Sequence, residues 1–183
     1  MVPTASYFDL ACASTRAEFV RACPFPLLVG SVTLVRPRMP QPTLSGAIHD
    51  FDGDQPQTVN VTLPEMLSRT PPVRSPLVLA VRKIQPAFPT MITVGRTANN
   101  DLVVNDVQVS KFHAFFRSTN GRYELADAGS RNGTMVAGRP VVPRGPGLVA
   151  RLGDAIQIAH LQFTLLDAGG CWDLIMRLRA TPT

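Results

Sequence analysis

The sequence predicts a mainly β fold, a β-sandwich of two antiparallel sheets, preceded by an α/β extension and followed by a short helix. Three observations point there. From residue 77 onward, short apolar or alternating runs recur between turn signals made of Gly, Asn, Asp and Ser. The 183 residues include 17 Pro and 13 Gly, which favour many short elements with turns over long helices. Apolar residues make up 45% of the chain, an ordinary share and enough for a core of useful size.

Taken in order, Met1 to about Cys23 carries helix signals. Thr15-Arg16-Ala17-Glu18 has the form of a capping box, Phe19, Val20 and Cys23 follow at helical spacing, and Pro24 and Pro26 end the run. Residues 27–36 read as a strand closed by Pro37, Pro40 and Pro42, and residues 58–63 alternate as a second strand after the Asp52-Gly53 turn. Residues 67–76, rich in Ser, Pro and Arg, form the lead-in. The expected division is thus an extension over 1–75, a β module over 76–168, and a C-terminal helix and tail over 169–183.

Within the module, strands are expected at 77–83, 91–94, 101–104, 114–117 and 122–125, with a hairpin turn at Ser118, Asn120 and Gly121. Residues 134–137 and 141–142 flank a turn at Gly138, and 143–147 is a longer loop. Residues 149–152 and 155–166 complete the sheets around a Gly153-Asp154 turn. Gly169-Gly170 should break the chain before an amphipathic helix at 171–180, whose Trp172, Ile175 and Met176 close one end of the sandwich.

Three loop clusters interrupt these strands: Gly95-Arg96, Ser110-Lys111-Phe112-His113, and Ser130-Arg131-Asn132-Gly133-Thr134. They gather hydrogen-bond donors on loops of a β scaffold, a pattern suited to recognising an anion. At these separations and in this order, the clusters resemble the forkhead-associated domain, a phosphothreonine-peptide-binding module. Gly138 and Leu152-Gly153-Asp154 continue the resemblance, which covers residues from about 76 to 167.

The resemblance implies a site for phosphothreonine, whose nearly double charge and three acceptor oxygens require a fixed cation with short neutral donors. Arg96 is the principal phosphate ligand, its planar fork gripping two oxygens. Ser110, which in the family bonds the phosphate, is the second, and Lys111 is either the third or a charge at the rim. Arg131 adds a second positive charge or faces solvent. Asn132 corresponds to the family's asparagine that holds the main chain of the bound peptide. Gly95, His113, Gly133 and Thr134 support the site: by resemblance His113 ties its loop to neighbouring backbone, Gly133 supplies a positive φ, and Thr134 closes the loop. Peptide preference is expected from residues 105–109 and from the turns at 118–122 and 137–139. Neutral Gln108 predicts no strong demand for an acidic residue three places after the phosphothreonine. Thr4, Thr15 and Thr70 are upstream threonines that a kinase could modify and the module capture.

Composition narrows the partners. Net charge is +5, and all of the excess lies in residues 76–183, where twelve Lys/Arg face seven Asp/Glu. No Lys/Arg run exceeds two and exposed aromatics interleaved with charge are not expected, so nucleic acid is disfavoured. Sixteen Arg against two Lys would suit a GC-rich bacterium. Cys12, Cys23 and Cys171 are odd in number and widely spaced, and read as free thiols in a reducing compartment, with no metal site and no cofactor. The N-terminus is not a signal peptide and no apolar run reaches membrane-spanning length, so a cytoplasmic protein is expected. Neither GxSxG nor a nucleotide-binding glycine motif occurs, and no catalysis is expected. The expected function is docking on proteins phosphorylated by Ser/Thr kinases, the kinase itself or its substrates. The rival is a phosphate-independent scaffold that uses the same sandwich for assembly.

Overall fold

The Thr15 capping box forms and divides the N-terminal helix in two. In the computed structural model, which describes residues 7–30 and 76–180, α1 (Tyr7–Ala13) and α2 (Arg16–Ala22) replace the continuous helix expected up to Cys23. Thr15 sits at φ −69°, ψ 161°, an extended conformation in which its hydroxyl accepts from Glu18 N while its own N–H donates to Glu18 Oε2 at 2.8 Å. A residue so placed starts a helix and cannot continue one. The Thr15 hydroxyl also donates to Glu18 Oε2 at 2.8 Å and is thereby spent within the protein. Thr4, Thr70, the strand expected at 58–63 and most of the 67–76 lead-in fall outside the described residues.

The strands are β1 (Leu27–Gly30), β2 (Leu77–Ala80), β3 (Ile92–Gly95), β4 (Leu102–Val103), β5 (Ala114–Thr119), β6 (Arg122–Asp127), β7 (Thr134–Val136), β8 (Arg139–Pro140), β9 (Leu148–Ala150), β10 (Ala155–Ile158) and β11 (Leu161–Leu166). One sheet has the order β2-β1-β11-β10-β7-β8 and the other β4-β3-β5-β6-β9. The mainly β sandwich is therefore as expected, with one exception to its antiparallel pairing: β3 and β4 run parallel, Val94 opposite Leu102. The 155–166 run is two strands, turning at Ala159, which has φ 56°. The second strand of the 134–142 hairpin is Arg139–Pro140, two residues earlier than expected.

Leu27–Gly30 belongs to the sandwich. It pairs antiparallel with β11 on one side and β2 on the other, Leu28 lying between Leu165 and Leu79. Alternation sends Leu28 into the core between the sheets, with Val94, Phe116, Leu125, Ile156 and Leu165, while Leu27 and Val29 face the helices. Both faces are covered, which explains why this strand reads as an uninterrupted apolar run.

The helices build a second core on the outer face of that sheet. Here α3 (Ala168–Ala180) packs with α1 and α2 through Phe19, Cys23, Cys171 and Ile175, onto Leu27, Val29, Val78 and Ala80. Gly169-Gly170 does not break the chain as expected: both glycines lie inside α3. Asp167 starts the helix by accepting Gly170 N–H on its side chain at 2.7 Å and Cys171 N–H on its carbonyl at 2.9 Å. A Cβ on Gly169 would stand 2.6 Å from Arg16 Nη2, the far end of a flexible side chain that can move aside. The Arg16 guanidinium in turn pairs with Asp173 at 3.0 Å, and Trp172 Nε1–H donates to Ser14 O at 3.2 Å. The helix covers the sheet face rather than one end of the sandwich.

Candidate functional site

Register places three loops at one end of the five-stranded sheet. Val94 pairs with Ala114, and Ala114 with Asp127, so the ends of β3 and β6 and the start of β5 lie side by side. Residues 96–101, 104–113 and 128–133 leave from that edge and carry all three clusters singled out above. The turn at 118–122 lies at the far end of β5, and that at 137–139 at the far end of β7. Six strand residues at about 3.3 Å each put the 118–122 turn about 20 Å from the loops, so it can help set peptide preference only for an extended peptide that runs along β5.

Gly95 allows the first two loops to touch. A Cβ on it would lie 2.8 Å from Asn100 Nδ2 and 2.9 Å from the carbonyl carbon of Lys111. Through that contact Arg96 N–H donates to Ser110 O at 3.0 Å, and Asn100 Nδ2–H and Thr97 Oγ1–H donate to Lys111 O at 2.8 and 2.9 Å. The Lys111 carbonyl is thus fixed while its exposed ammonium remains free to reach outward.

His113 is fully buried and joins the second loop to the third. Its Nδ1 accepts Ser110 N–H at 3.1 Å, which requires the proton on Nε2, and Nε2–H donates to Gly133 O at 3.0 Å. With both ring nitrogens engaged inside the protein, the imidazole has nothing to offer a substrate or a metal. Ser110 Oγ accepts Arg131 N–H at 3.2 Å, and Asn132 Nδ2–H donates to Gln108 O at 2.7 Å. Ser110, Arg131 and Asn132 therefore meet across the same loop boundary, and the Asn132 amide oxygen is bonded to nothing among the described residues.

The third loop is organised by Asp127, a residue that sequence reasoning did not single out. Its Oδ1 accepts Gly129 N–H and Ser130 N–H, both at 2.8 Å; its Oδ2 accepts Ser130 Oγ–H at 2.7 Å and Thr134 Oγ1–H at 2.6 Å. Burial would raise the pKa of this carboxyl, but the bonds from Thr134, Ser130 and Gly129 outweigh it and hold the group below its ordinary value. Ser130 Oγ then accepts Gly133 N–H at 3.0 Å, and Gly133 has φ 75°. The Asp-Ala-Gly-Ser spacing is an Asx-turn signal and was available in the sequence.

Asp101 plays the same part under the first loop. Its buried carboxylate accepts from Lys83 Nζ at 2.8 Å, from Ile84 N and Gln85 N at 2.6 Å each, and from Thr93 N at 2.7 Å and Thr93 Oγ1 at 3.0 Å. Burial pushes its pKa up, and the Lys83 ammonium with the Thr93, Gln85 and Ile84 amides pulls it well below the usual carboxylate range.

Three cations, Arg96, Lys111 and Arg131, surround the loop boundary, and none has an ion-pair partner among the described residues. Asp101 and Asp127 beneath them are consumed by the scaffold. Most telling is Arg96, whose Nε is buried with no hydrogen-bond partner. An unpaired buried donor on a charged side chain is costly unless an external acceptor reaches it. The arrangement suits the binding of an anion, and no group of His, Cys, Asp and Glu among the described residues could hold a metal.

Residues 92–159 match the FHA domain family model. This chain carries a forkhead-associated domain. Curated relatives of the FHA region include a Corynebacterium efficiens protein described as an oxoglutarate dehydrogenase inhibitor, 39% identical over 74 residues, covering 40% of this chain and 49% of that one. Another is the glycogen accumulation regulator GarA of Mycolicibacterium smegmatis, 36% identical over 74 residues, covering 40% and 44%. The chain thus spans about half the length or less of the curated relatives it matches. Among solved structures, Mycobacterium tuberculosis EmbR in complex with a low-affinity phosphopeptide aligns at 28% identity and TM-score 0.39, over 43% of this chain and 20% of that one. Structures reported for phosphothreonine-dependent FHA domain interactions align at 25% identity and TM-score 0.41, over 49% and 82%.

Beside the FHA loops, one surface differs from expectation. Phe88 and Phe112 are exposed and stack at 6.0 Å, Phe112 stacks on Phe115 at 6.1 Å, and the Arg117 guanidinium lies 4.8 Å from the Phe115 ring. Exposed aromatics interleaved with charge are therefore present. Phe112 is stacked between Phe88 and Phe115, and Arg117 lies over the Phe115 ring. No helix among the described residues is long and apolar enough to cross a membrane.

Proposed function

We propose that this protein is a phosphothreonine-peptide-binding signalling protein that docks on partners phosphorylated by Ser/Thr kinases, and that it works in the cytoplasm by binding rather than by catalysis. The observation that carries the reading is Arg96, whose buried Nε lacks an acceptor at the point where Ser110, Lys111 and Arg131 converge. In this reading Arg96 grips the phosphate in a bidentate manner, Ser110 Oγ–H adds a short neutral donor, and Lys111 and Arg131 contribute positive potential from the rim. Asn132, already anchored through Nδ2 to Gln108 O, presents its amide oxygen to a peptide N–H. Gly95, His113, Gly133 and Thr134 hold the three loops in register. The binding module then comprises residues 27–30 together with 76–167.

Fluorescence anisotropy with a degenerate phosphothreonine peptide pool tests this, with phosphoserine and unphosphorylated pools as controls. The phosphothreonine pool binds best. Arg96→Ala weakens it by about 10- to 100-fold, the equivalent of a charge-assisted hydrogen-bond pair worth about 1.5–3 kcal/mol. Binding indifferent to phosphate and to Arg96 overturns the reading in favour of a phosphate-independent scaffold.

A further inference from the structure

At the end of the sandwich opposite the FHA loops lies a groove of about 590 Å³. Its walls come from the C-terminal end of α2, the start of α3, β9 with the turn that follows it, and the hairpin between β5 and β6. The floor is apolar: Cys23 and Leu165 are buried, and Phe25, Val149 and Leu152 contribute further apolar surface. Arg122 and Arg151 also line it side by side, since the antiparallel register that pairs Tyr123 with Ala150 sets Arg122 opposite Arg151. Neither guanidinium has a carboxylate or hydrogen-bond partner among the described residues. The acid that shares the lining, Asp167, has one carboxylate oxygen occupied by Gly170 N–H at 2.7 Å.

We propose that this groove binds a small, mostly apolar molecule carrying one carboxylate, its chain on the apolar surface of Phe25, Val149 and Leu152 and its charge at Arg122 and Arg151. Size favours such a ligand over a docked protein. The volume falls in the range of about 300–1,000 Å³ usual for small-molecule sites, whereas a stable protein interface needs about 800 Å² on each partner. The exposed large apolar residues beside the groove are few, chiefly Val20 and Leu152. Charge favours an anion, because an arginine fork matches a carboxylate. The length of β5 separates the groove from the FHA loops, so both sites can be filled at once.

The experiment is an amide chemical-shift titration of the isotopically labelled full chain with sodium octanoate, with octanamide as the neutral counterpart. Saturable shifts are expected at Arg122, Ala150, Leu152 and Gly169 and not at Ser110 to His113, with octanoate binding at least tenfold tighter than octanamide. The exposed double substitution Arg122→Gln, Arg151→Gln should remove that preference, and Val149→Trp should block both compounds while spectral dispersion confirms the fold. No saturable shift, shifts scattered over the surface, or equal affinity for octanoate and octanamide would overturn the assignment.

Discussion

Replacing Asp127 by Asn probes whether the third FHA loop depends on a buried charge. The carboxylate accepts four hydrogen bonds, two from backbone amides on Oδ1 and two from hydroxyls on Oδ2. In the variant the amide NH₂ avoids the two backbone donors and turns toward the Ser130 and Thr134 hydroxyls, which must reverse to accept. All four bonds then become neutral, each losing part of the roughly 1 kcal/mol by which a charged hydrogen bond exceeds a neutral one. Relief from burying a charge offsets some of this. The net expectation is a loss of about 2 kcal/mol at neutral pH, or about 4–8 °C in Tm for a chain of this length. Urea unfolding followed by circular dichroism measures it. The pH profile supplies an independent check of sign. A carboxyl held below its ordinary value of 3.8 stabilises the fold above that pH and loses its contribution as pH falls through the folded-state value. The wild type should therefore lose stability below about pH 4 more steeply than Asp127→Asn. A variant within about 0.5 kcal/mol of wild type at pH 7, with an unchanged acid limb, would refute the reasoning.

Three further outcomes are expected. Gly95→Ala forces a methyl against Asn100 Nδ2 and the Lys111 carbonyl, so it should cost about 1–3 kcal/mol of stability and weaken phosphopeptide binding, both measurable on one preparation. Asp101→Asn breaks a buried ion pair with Lys83 and should destabilise by about 3 kcal/mol; because the Asp101 pKa is also depressed, the variant should show a flatter acid limb, and a retained steep limb would argue against that role. The Cys171 thiol, pushed up to about 12 by burial first and then by Cys23 and Asp167 nearby, should resist iodoacetamide at pH 8 in the native protein while half-buried Cys12 is alkylated; mass spectrometry of the digest distinguishes them.

The FHA loops were legible because their residues are set by local geometry. Gly95 permits a contact no other residue allows, Gly133 takes a positive φ, and Ser110 and His113 sit three apart so that one loop can bond its own histidine. Asp127 was legible in principle, since three of its four partners lie within three residues, but its role shows only when the loop is closed. Asp101 was not legible: its partners Lys83, Ile84, Gln85 and Thr93 come from another part of the chain. Gly169-Gly170 misled because glycine propensity is a weak local preference, and here the Asp167 start together with the packing of Ala168, Cys171 and Ile175 outweighs it. The apolar residues of α1 and α2 were visible in sequence, but nothing in their spacing tells that they cover the outer face of a sheet.

The strand at Leu27–Gly30 has a consequence for how this domain can be taken apart. Among the described residues it lies between β2 and β11, one strand in from the edge, and its two ladders join β2 to the rest of the six-stranded sheet. Residues 76–180 on their own would leave β2 and β11 facing a vacant slot, each with a row of unsatisfied backbone groups, and would strip Leu27 and Leu28 from the two cores at once. Such open edges recruit strands from other molecules. A shortened protein that begins just before β2 should self-associate, and adding back a peptide spanning residues 7–30 should restore the monomer by filling the slot.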